Sequence, residues 1–289
     1  DCMPLVEFLA PMANKADVFE WEHCRIRSYQ TLVFPINWKV ALEAFVEGYH
    51  VIGTHLQLLR FGQVRVPGTE DTLSDPGPRH ASHYGEFAFA FEDLDFDDPR
   101  KYVSAHMLEI HDTLHGIVHA EGAIAARRVL EETEPGISMM EAYGKFGEFQ
   151  KEEMLKAGAR YPERITPHDL TITEWQVFPN CSVLPSTEGA FWYRARPNGD
   201  DPNSCIFDVL SLGRFAPGKE PAWTHEFYPT LESFRGRNPI LEQDFSNMLA
   251  VHKGMQSRGW KGARPNPIQE SNVYNLHRVL HQYVYTDET

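Results

Sequence analysis

Apolar and polar positions follow two different rhythms along this chain of 289 residues. Residues 25–38, RIRSYQTLVFPINW, are rich in β-branched and aromatic types and break at Pro35, which predicts an extended strand. The period then changes. Trp38, Leu42, Phe45 and Tyr49 recur at spacings of four, three and four, which predicts one helix with Asn37 as its N-cap. Gly48 and Gly53 weaken its far end. Residues 62–80 carry turn formers and predict a loop. Residues 83–93, HYGEFAFAFED, alternate as a strand does, placing Phe87, Phe89 and Phe91 on one core-facing side. Helical patterning returns over about 100–131 and again in EAYGKFGEFQKEEMLKAGAR, residues 141–160.

From Ile172 onward, short aromatic and β-branched runs are separated by Pro, Gly and Asn, the pattern of an antiparallel meander. Two helices close the chain, at about 239–258 and 270–285, the second with Val273, Leu276, Leu280 and Tyr283 as its apolar stripe. The sequence shows no repeat and no low-complexity tract. Helix, meander and closing helices together predict one α+β domain over residues 1–289, with helices packed on an antiparallel sheet.

Composition adds exclusions. A hydrophobic fraction of 42% and a charged fraction of 24% are those of a folded globular protein. A net charge of -14 repels a phosphate backbone, so nucleic acid is not an expected partner. No apolar run reaches the roughly 20 residues of a membrane helix, and no basic-apolar leader opens the chain. Cys2, Cys24, Cys181 and Cys205 match no common metal pattern or disulfide framework, so a reduced cytoplasmic protein is expected. The chain opens DCMPLVEFLAP, without an initiator Met, which suggests processing or an upstream segment.

The candidate chemistry sits in residues 43–55, EAFVEGYHVIGTH. His50 and His55 are separated by five positions, so on an ideal helix they point roughly 140° apart. They can share a metal only if the helix ends or distorts between them, and Gly53 permits that. Glu47 and His50 stand three apart, close enough for a carboxylate to hydrogen-bond one imidazole nitrogen and leave the other for a metal. A third ligand must come from elsewhere. Asp244 has apolar neighbours in a helical segment and needs a partner there. Two histidines and one carboxylate compose the facial triad of mononuclear non-haem Fe(II) oxygenases. Spacing alone leaves the alternatives open: core histidines, and a solvated or salt-bridged Asp244.

NWKVALEAFVEGYHVIGTH (37–55) resembles the iron-site segment of the Rieske non-haem iron aromatic-ring-hydroxylating oxygenases, in the catalytic domain of their α subunit. VFPNCSVL, WYRARPNGDDPNSCIFDVLSL, EQDFSNMLAVHKGMQSRG and NPIQESNVYNLHRVLHQYV resemble later blocks of that family, in order. Residues 56–170 carry the least resemblance. The resemblance implies that His50, His55 and Asp244 bind Fe(II), and that Glu47 is the bridging carboxylate relaying electrons from a neighbouring subunit's Rieske cluster. It also implies a helix-grip (START-like) fold, with a twisted antiparallel sheet, a long C-terminal helix and a buried cavity. The implied activity is cis-dihydroxylation, monohydroxylation or demethylation of an aromatic or other apolar small molecule with O2. Electrons would come from NAD(P)H through a reductase or ferredoxin, in a homotrimer.

Two substitutions depart from the family pattern: Glu47 replaces the usual Asp, and Ala44 stands where many members carry Asn. A third departure is larger. A Rieske [2Fe-2S] cluster needs Cys-x-His and Cys-x-x-His, and none of the four cysteines has a histidine so placed. PLVEFLAP resembles the segment that follows that domain, so the Rieske half is expected upstream and absent here, the alternative being a natural stand-alone relative.

Other histidines are weighed against plainer roles. His106, His111, His115 and His119 fall in HMLEIHDTLHGIVH, and the last three would share one face of a helix, as a polar stripe, part of the cavity lining or a second metal site. His80 and His83 read as pocket or surface residues, and Phe178, Trp192 and Phe207 as core or cavity wall. No Ser-His-Asp order, phosphate-binding glycine loop or haem motif is present. The rival functions are a helix-grip binding module without catalysis and a zinc hydrolase using the same histidines.

Overall fold

The computed structural model describes residues 2–48, 50–61, 79–84, 96–267 and 269–285. Two short helices, α1 (Leu5–Phe8) and α2 (Met12–Ala16), lead into strand β1 (Arg25–Phe34). Helices α3 (Trp38–Glu43) and α4 (His50–Thr54) follow, then strand β2 (Ala81–Tyr84). Three longer helices come next, α5 (Pro99–Leu114), α6 (Ala120–Glu132) and α7 (Met139–Lys156). The meander is β3 (Ile172–Val177), β4 (Cys181–Ser186), β5 (Gly189–Asn198) and β6 (Asp201–Gly213), followed by β7 (His225–Tyr228). Helices α8 (Leu231–Phe234), α9 (Pro239–Met255) and α10 (Ser271–Tyr285) end the described chain.

Among the described residues the strands form a sheet of order β2-β3-β4-β5-β6-β1-β7. Every neighbouring pair is antiparallel except β1 and β7, which run parallel. Side-chain alternation splits the sheet into two faces. Leu32, Phe34, Phe191, Tyr193, Phe207 and Val209 face inward and share a core with α3, α9 and α10. Trp175, Val177, Val183 and Ala190 face outward, where Met12 and Ala16 of α2 cover them. Helices α5, α6 and α7 add a third cluster around Tyr102, Val129 and Ala142. This is the α+β arrangement that the periodicity predicts and the helix-grip fold that the resemblance implies.

Two predicted helices are broken. The helix expected across 37–49 ends at Glu43, and a turn through residues 44–48 separates it from α4. Asn37 does cap it, accepting from Lys39 N at 3.0 Å. The turn buries Phe45 and Val46 against the sheet, a gain that outweighs continuing the helix. Tyr49 lies outside the described residues, as do Phe87, Phe89, Phe91 and most of the predicted loop. The helix expected across 100–131 breaks at His115, which takes a left-handed φ of 53°. Gly116 follows, and a Cβ there would lie 2.2 Å from the Phe191 ring, so only glycine lets this corner approach the sheet. Glu188, in the turn between β4 and β5, then anchors the start of α6, accepting from His119 N and Gly122 N, each at 2.9 Å. Burial pushes its carboxyl up to about 7, against these hydrogen bonds.

Helix α9 carries the core into the functional region. Pro239 opens it, and the Asn238 side chain both caps it and donates to Leu114 O at the end of α5 (3.3 Å). Phe245, fully buried, packs its ring 4.7 Å from Phe34 and 5.4 Å from both Phe207 and Phe234. Helix α10 buries Val273, Leu276 and Val279, but also Asn272 and Asn275, while Tyr283 of the predicted stripe is exposed. Phe245→Ala should lower unfolding free energy by about 3–5 kcal/mol. Denaturant titration checks this, and a loss below about 1 kcal/mol would show that the cluster collapses around the missing ring.

Candidate metal centre

Helix α4 spans only His50–Thr54, and His55 follows directly after its end. The helix therefore stops where the spacing requires, one residue beyond the predicted Gly53. Asn247 of α9 donates to Thr54 Oγ1 at 3.1 Å and ties that end down. Asp244 projects from the same helix α9 toward both histidines. Its Oδ1 lies 2.9 Å from His55 Nε2 and 3.7 Å from His50 Nε2. The donor atoms of all three residues lie within 4.8 Å of one another, and among the described residues they are the cluster able to hold a metal ion.

The second nitrogens of the rings are engaged. Glu47 grips His50 with both oxygens: Oε1 accepts from Nδ1 and Oε2 from the backbone N, each at 2.9 Å. The predicted Glu47–His50 hydrogen bond forms, but from a turn ahead of α4 rather than within one helix. Gln243 Oε1 lies 2.8 Å from His55 Nδ1 and also accepts from Gln57 Nε2 at 3.0 Å. With acceptors at both Nδ1 atoms, each neutral ring carries its proton there and turns the Nε2 lone pair inward. Gln243 and Gln57 were not legible in the sequence. The one signal for Gln243 is its place next to Asp244.

The inward atoms therefore form a set of acceptors. Asp244 is 3% exposed, and its Oδ1 accepts no hydrogen bond of acceptable geometry despite the 2.9 Å approach of His55. A buried carboxylate oxygen without a donor is costly, and a cation removes the cost. Two ligands at right angles on an ion, each about 2.1 Å away, stand about 3 Å apart, which matches the His55–Asp244 approach. The residues fit a divalent ion with nitrogen and oxygen ligands.

His50 shows the field of this site. Burial pulls its pKa down, but the Glu47 hydrogen bond and the charges of Glu47, Asp244 and Glu174 outweigh it and raise the net value. Burial, with Asp244 and Glu174 beside it, also raises the phenol of Tyr193 well above the ordinary range.

Glu47 and His50 stand between two hollows. The inner cavity, about 190 Å³, is walled by Phe45, Val51, Leu58, Ile110, Leu114, Leu184, Tyr193 and Ile240, with Glu174 and the three metal-cluster residues. The outer cleft, about 270 Å³, is lined by Glu43, Glu47, His50, Val251, Trp260 and Arg264 among others.

The remaining histidines lie elsewhere. His111, His115 and His119 do not share a helix face: His111 is on α5, His115 ends it, and His119 caps α6. His106 contacts Tyr143 Oη at 3.0 Å, and burial lowers its pKa to about 4. His80 is buried, donating from Nε2 to Phe8 O (2.8 Å) and accepting Phe178 N at Nδ1 (3.0 Å), a structural tie. Phe178 and Phe207 belong to the core, and Trp192 to the outer face of the sheet. The side chain of His83 lies outside the described residues.

The profile of the family described as ring hydroxylating alpha subunit (catalytic domain) matches residues 20–286. The chain belongs to that family. Residues 20–286 correspond to the catalytic domain of that alpha subunit, and the family is one of non-haem iron oxygenases. Solved structures similar to it include the quaternary ammonium Rieske monooxygenase CntA with L-carnitine (12% identity, TM-score 0.52). Others are CntA with the inhibitor MMV12 (12%, 0.51) and a quaternary ammonium Rieske monooxygenase whose structure is described for carnitine oxidation by gut microbiota and inter-subunit electron transfer (11%, 0.50). Each match covers 98% of this chain and 56–57% of the other, so the chain spans just over half of their length. At that identity the likeness concerns the fold. No curated protein sequence matches the chain. Among the described residues no helix is long and apolar enough to cross a membrane.

The His50 proton gives a direct check. A raised pKa means that the metal-free folded state holds the proton more tightly than the unfolded chain. That stabilisation is fully present below the ordinary 6.5 and fades as pH rises through the folded value. Imidazole NMR titration of metal-free Glu47→Gln should show a lower His50 pKa than the wild type. An unchanged value would remove Glu47 as the cause.

Proposed function

We propose that residues 1–289 form one catalytic domain in which His50, His55 and Asp244 hold Fe(II) as a facial triad. One observation carries this: the Asp244 oxygen, buried and without a hydrogen bond, facing the Nε2 atoms of two imidazoles whose Nδ1 atoms meet Glu47 and Gln243 on the far side. Bound there, the ion would supply the chemistry of O2 activation for hydroxylation.

The chain's own residues do the rest. Glu47 and Gln243 fix the imidazole orientations, the role that outer carboxylates and amides play around metal-binding histidines. Asp244 supplies negative charge from a rigid core helix, and Phe245 next to it prevents that helix from shifting. Phe45 and Tyr193, stacked with centroids 4.2 Å apart, wall the cavity and exclude water from the reacting face. The eight-residue apolar wall suits an aromatic or other apolar small molecule, for cis-dihydroxylation, monohydroxylation or demethylation.

Glu47 lines both the outer cleft and the inner cavity, which suits the bridging position. Its extra methylene relative to Asp lets both oxygens reach His50. The partners of this reading are O2, a reductase or ferredoxin drawing on NAD(P)H, and a Rieske [2Fe-2S] cluster carried outside residues 1–289. The assembly is a homotrimer, and the location is the cytoplasm.

His50→Ala and Asp244→Ala should each reduce Fe(II) binding from one ion per chain to near none, with the fold intact by circular dichroism. Full iron in either variant overturns the triad. Glu47→Gln should keep one ion per chain but bind it roughly 10- to 100-fold more weakly. Equal affinity in an anaerobic Fe(II) titration would show that Glu47 does not tune the site. Because His50 must lose its second proton to bind the ion, affinity should also rise with pH.

A further inference from the structure

Tyr193 walls the inner cavity, but its hydroxyl takes no part in holding the ion. The residue stands on β5, paired with Ser182 of β4 and Val209 of β6. Other aromatic rings clamp it in place. Phe45 stacks on it with centroids 4.2 Å apart, Phe207 lies at 6.0 Å and is inclined by 29°, and Phe191 stands edge-on at 4.9 Å. A ring packed in this way cannot swing its hydroxyl aside in search of a partner.

Within the protein that hydroxyl finds no acceptor. Tyr193 is 2% exposed and lines the cavity, and no described residue accepts a hydrogen bond from its Oη. The charge of Asp244 reaches the phenol, so its oxygen faces the part of the cavity where the metal cluster stands. A buried tyrosine hydroxyl ordinarily has a partner, and leaving it without one is destabilising. The aromatic clamp therefore holds a donor against space that the protein itself does not fill. A bound molecule with an acceptor oxygen there removes the cost. No Lys or Arg is among the described residues lining the cavity, so the acceptor matched here is a neutral oxygen rather than an anionic group.

We propose, resting on the oxygenase reading of this site, that Tyr193 selects and orients the substrate by donating from its hydroxyl to a neutral oxygen. The substrate is a small apolar molecule carrying a carbonyl, ether or hydroxyl oxygen, held in a cavity of about 190 Å³. Its apolar body packs on Leu58, Ile110 and Leu184, and its oxygen meets Tyr193. One fixed donor in an apolar wall decides which part of the molecule turns toward His50, His55 and Asp244.

Two probes of one shape separate the hydrogen bond from packing: acetophenone, with a carbonyl oxygen, and isopropenylbenzene, with a methylene in its place. Their binding to the wild type and to Tyr193→Phe is measured by anaerobic calorimetry, with the iron content of each sample recorded. Loss of the hydroxyl should weaken acetophenone binding about fivefold or more and leave isopropenylbenzene within about twofold. Because the hydroxyl has no partner inside the protein, the denaturant midpoint of ligand-free Tyr193→Phe should equal or exceed that of the wild type. Acetophenone bound equally by both proteins overturns the proposal. So do equal losses for the two probes, a wild type that binds neither, or a lowered midpoint. Iron content separates the two readings: one ion per chain with acetophenone binding untouched by the substitution sinks only the role of Tyr193. Absent iron with the acetophenone loss intact sinks only the oxygenase reading.

Discussion

Asp244 imposes the main constraint on this molecule. A carboxylate 3% exposed, in a helix packed by aromatic rings, has to be matched by positive charge or by donors. The chain brings it two imidazoles, and sets the acceptors Glu47 and Gln243 against their far nitrogens, Nδ1. In a protein that used these groups only for its core, the simplest arrangement would be an N–H from each ring on the carboxylate. The observed one spends hydrogen-bonding capacity on the far side and leaves electron pairs converging on a point. That is costly without a cation and favourable with one.

The fold exists around this point in a literal sense. The inner face of the sheet supplies Tyr193, Leu184 and Glu174, and α9 supplies Asp244 and Ile240 from the opposite side. The interrupted segment α3–α4 closes the gap between them. Its interruption matters: an unbroken helix through residue 55 would point His50 and His55 in divergent directions. Breaking it after Glu43 lets Phe45 go into the core, Glu47 reach back as a two-point clamp, and α4 end just before His55. Packing energy thus fixes ligand geometry. The same segment separates the inner cavity from the outer cleft with one carboxylate–imidazole pair. That thin wall is why Glu47 and His50 belong to both spaces.

The sequence made the architecture readable where local and tertiary preferences agree. The meander from Ile172, the Asn37 cap and both closing helices follow their patterns closely. The pattern misled where a tertiary contact overrode it. His111, His115 and His119 have helical spacing, but the approach of Gly116 to Phe191 forces a corner between them. In α10 the apolar stripe is real, yet Asn272 and Asn275 are buried beside it, which no hydropathy period indicates. Gln57, Gln243 and Glu174 gave no signal because single polar residues without a motif look alike until the fold brings them to a site.

By itself the sequence determined the class of element at most positions, and, through residue types at fixed spacings, marked Glu47, His50 and His55 as candidates for one cluster. Local chemistry suffices for that, because those residues stand within a few positions of each other. It also supplied Asp244 as a carboxylate that needed a partner. Only the tertiary structure decided that the partner lies 189 positions away at 2.9 Å. It alone set which nitrogen of each ring faces inward and placed a further carboxylate in the cavity wall. Those are properties of distances across the sheet and between helices, set by the packing of the aromatic core, and no local pattern encodes them.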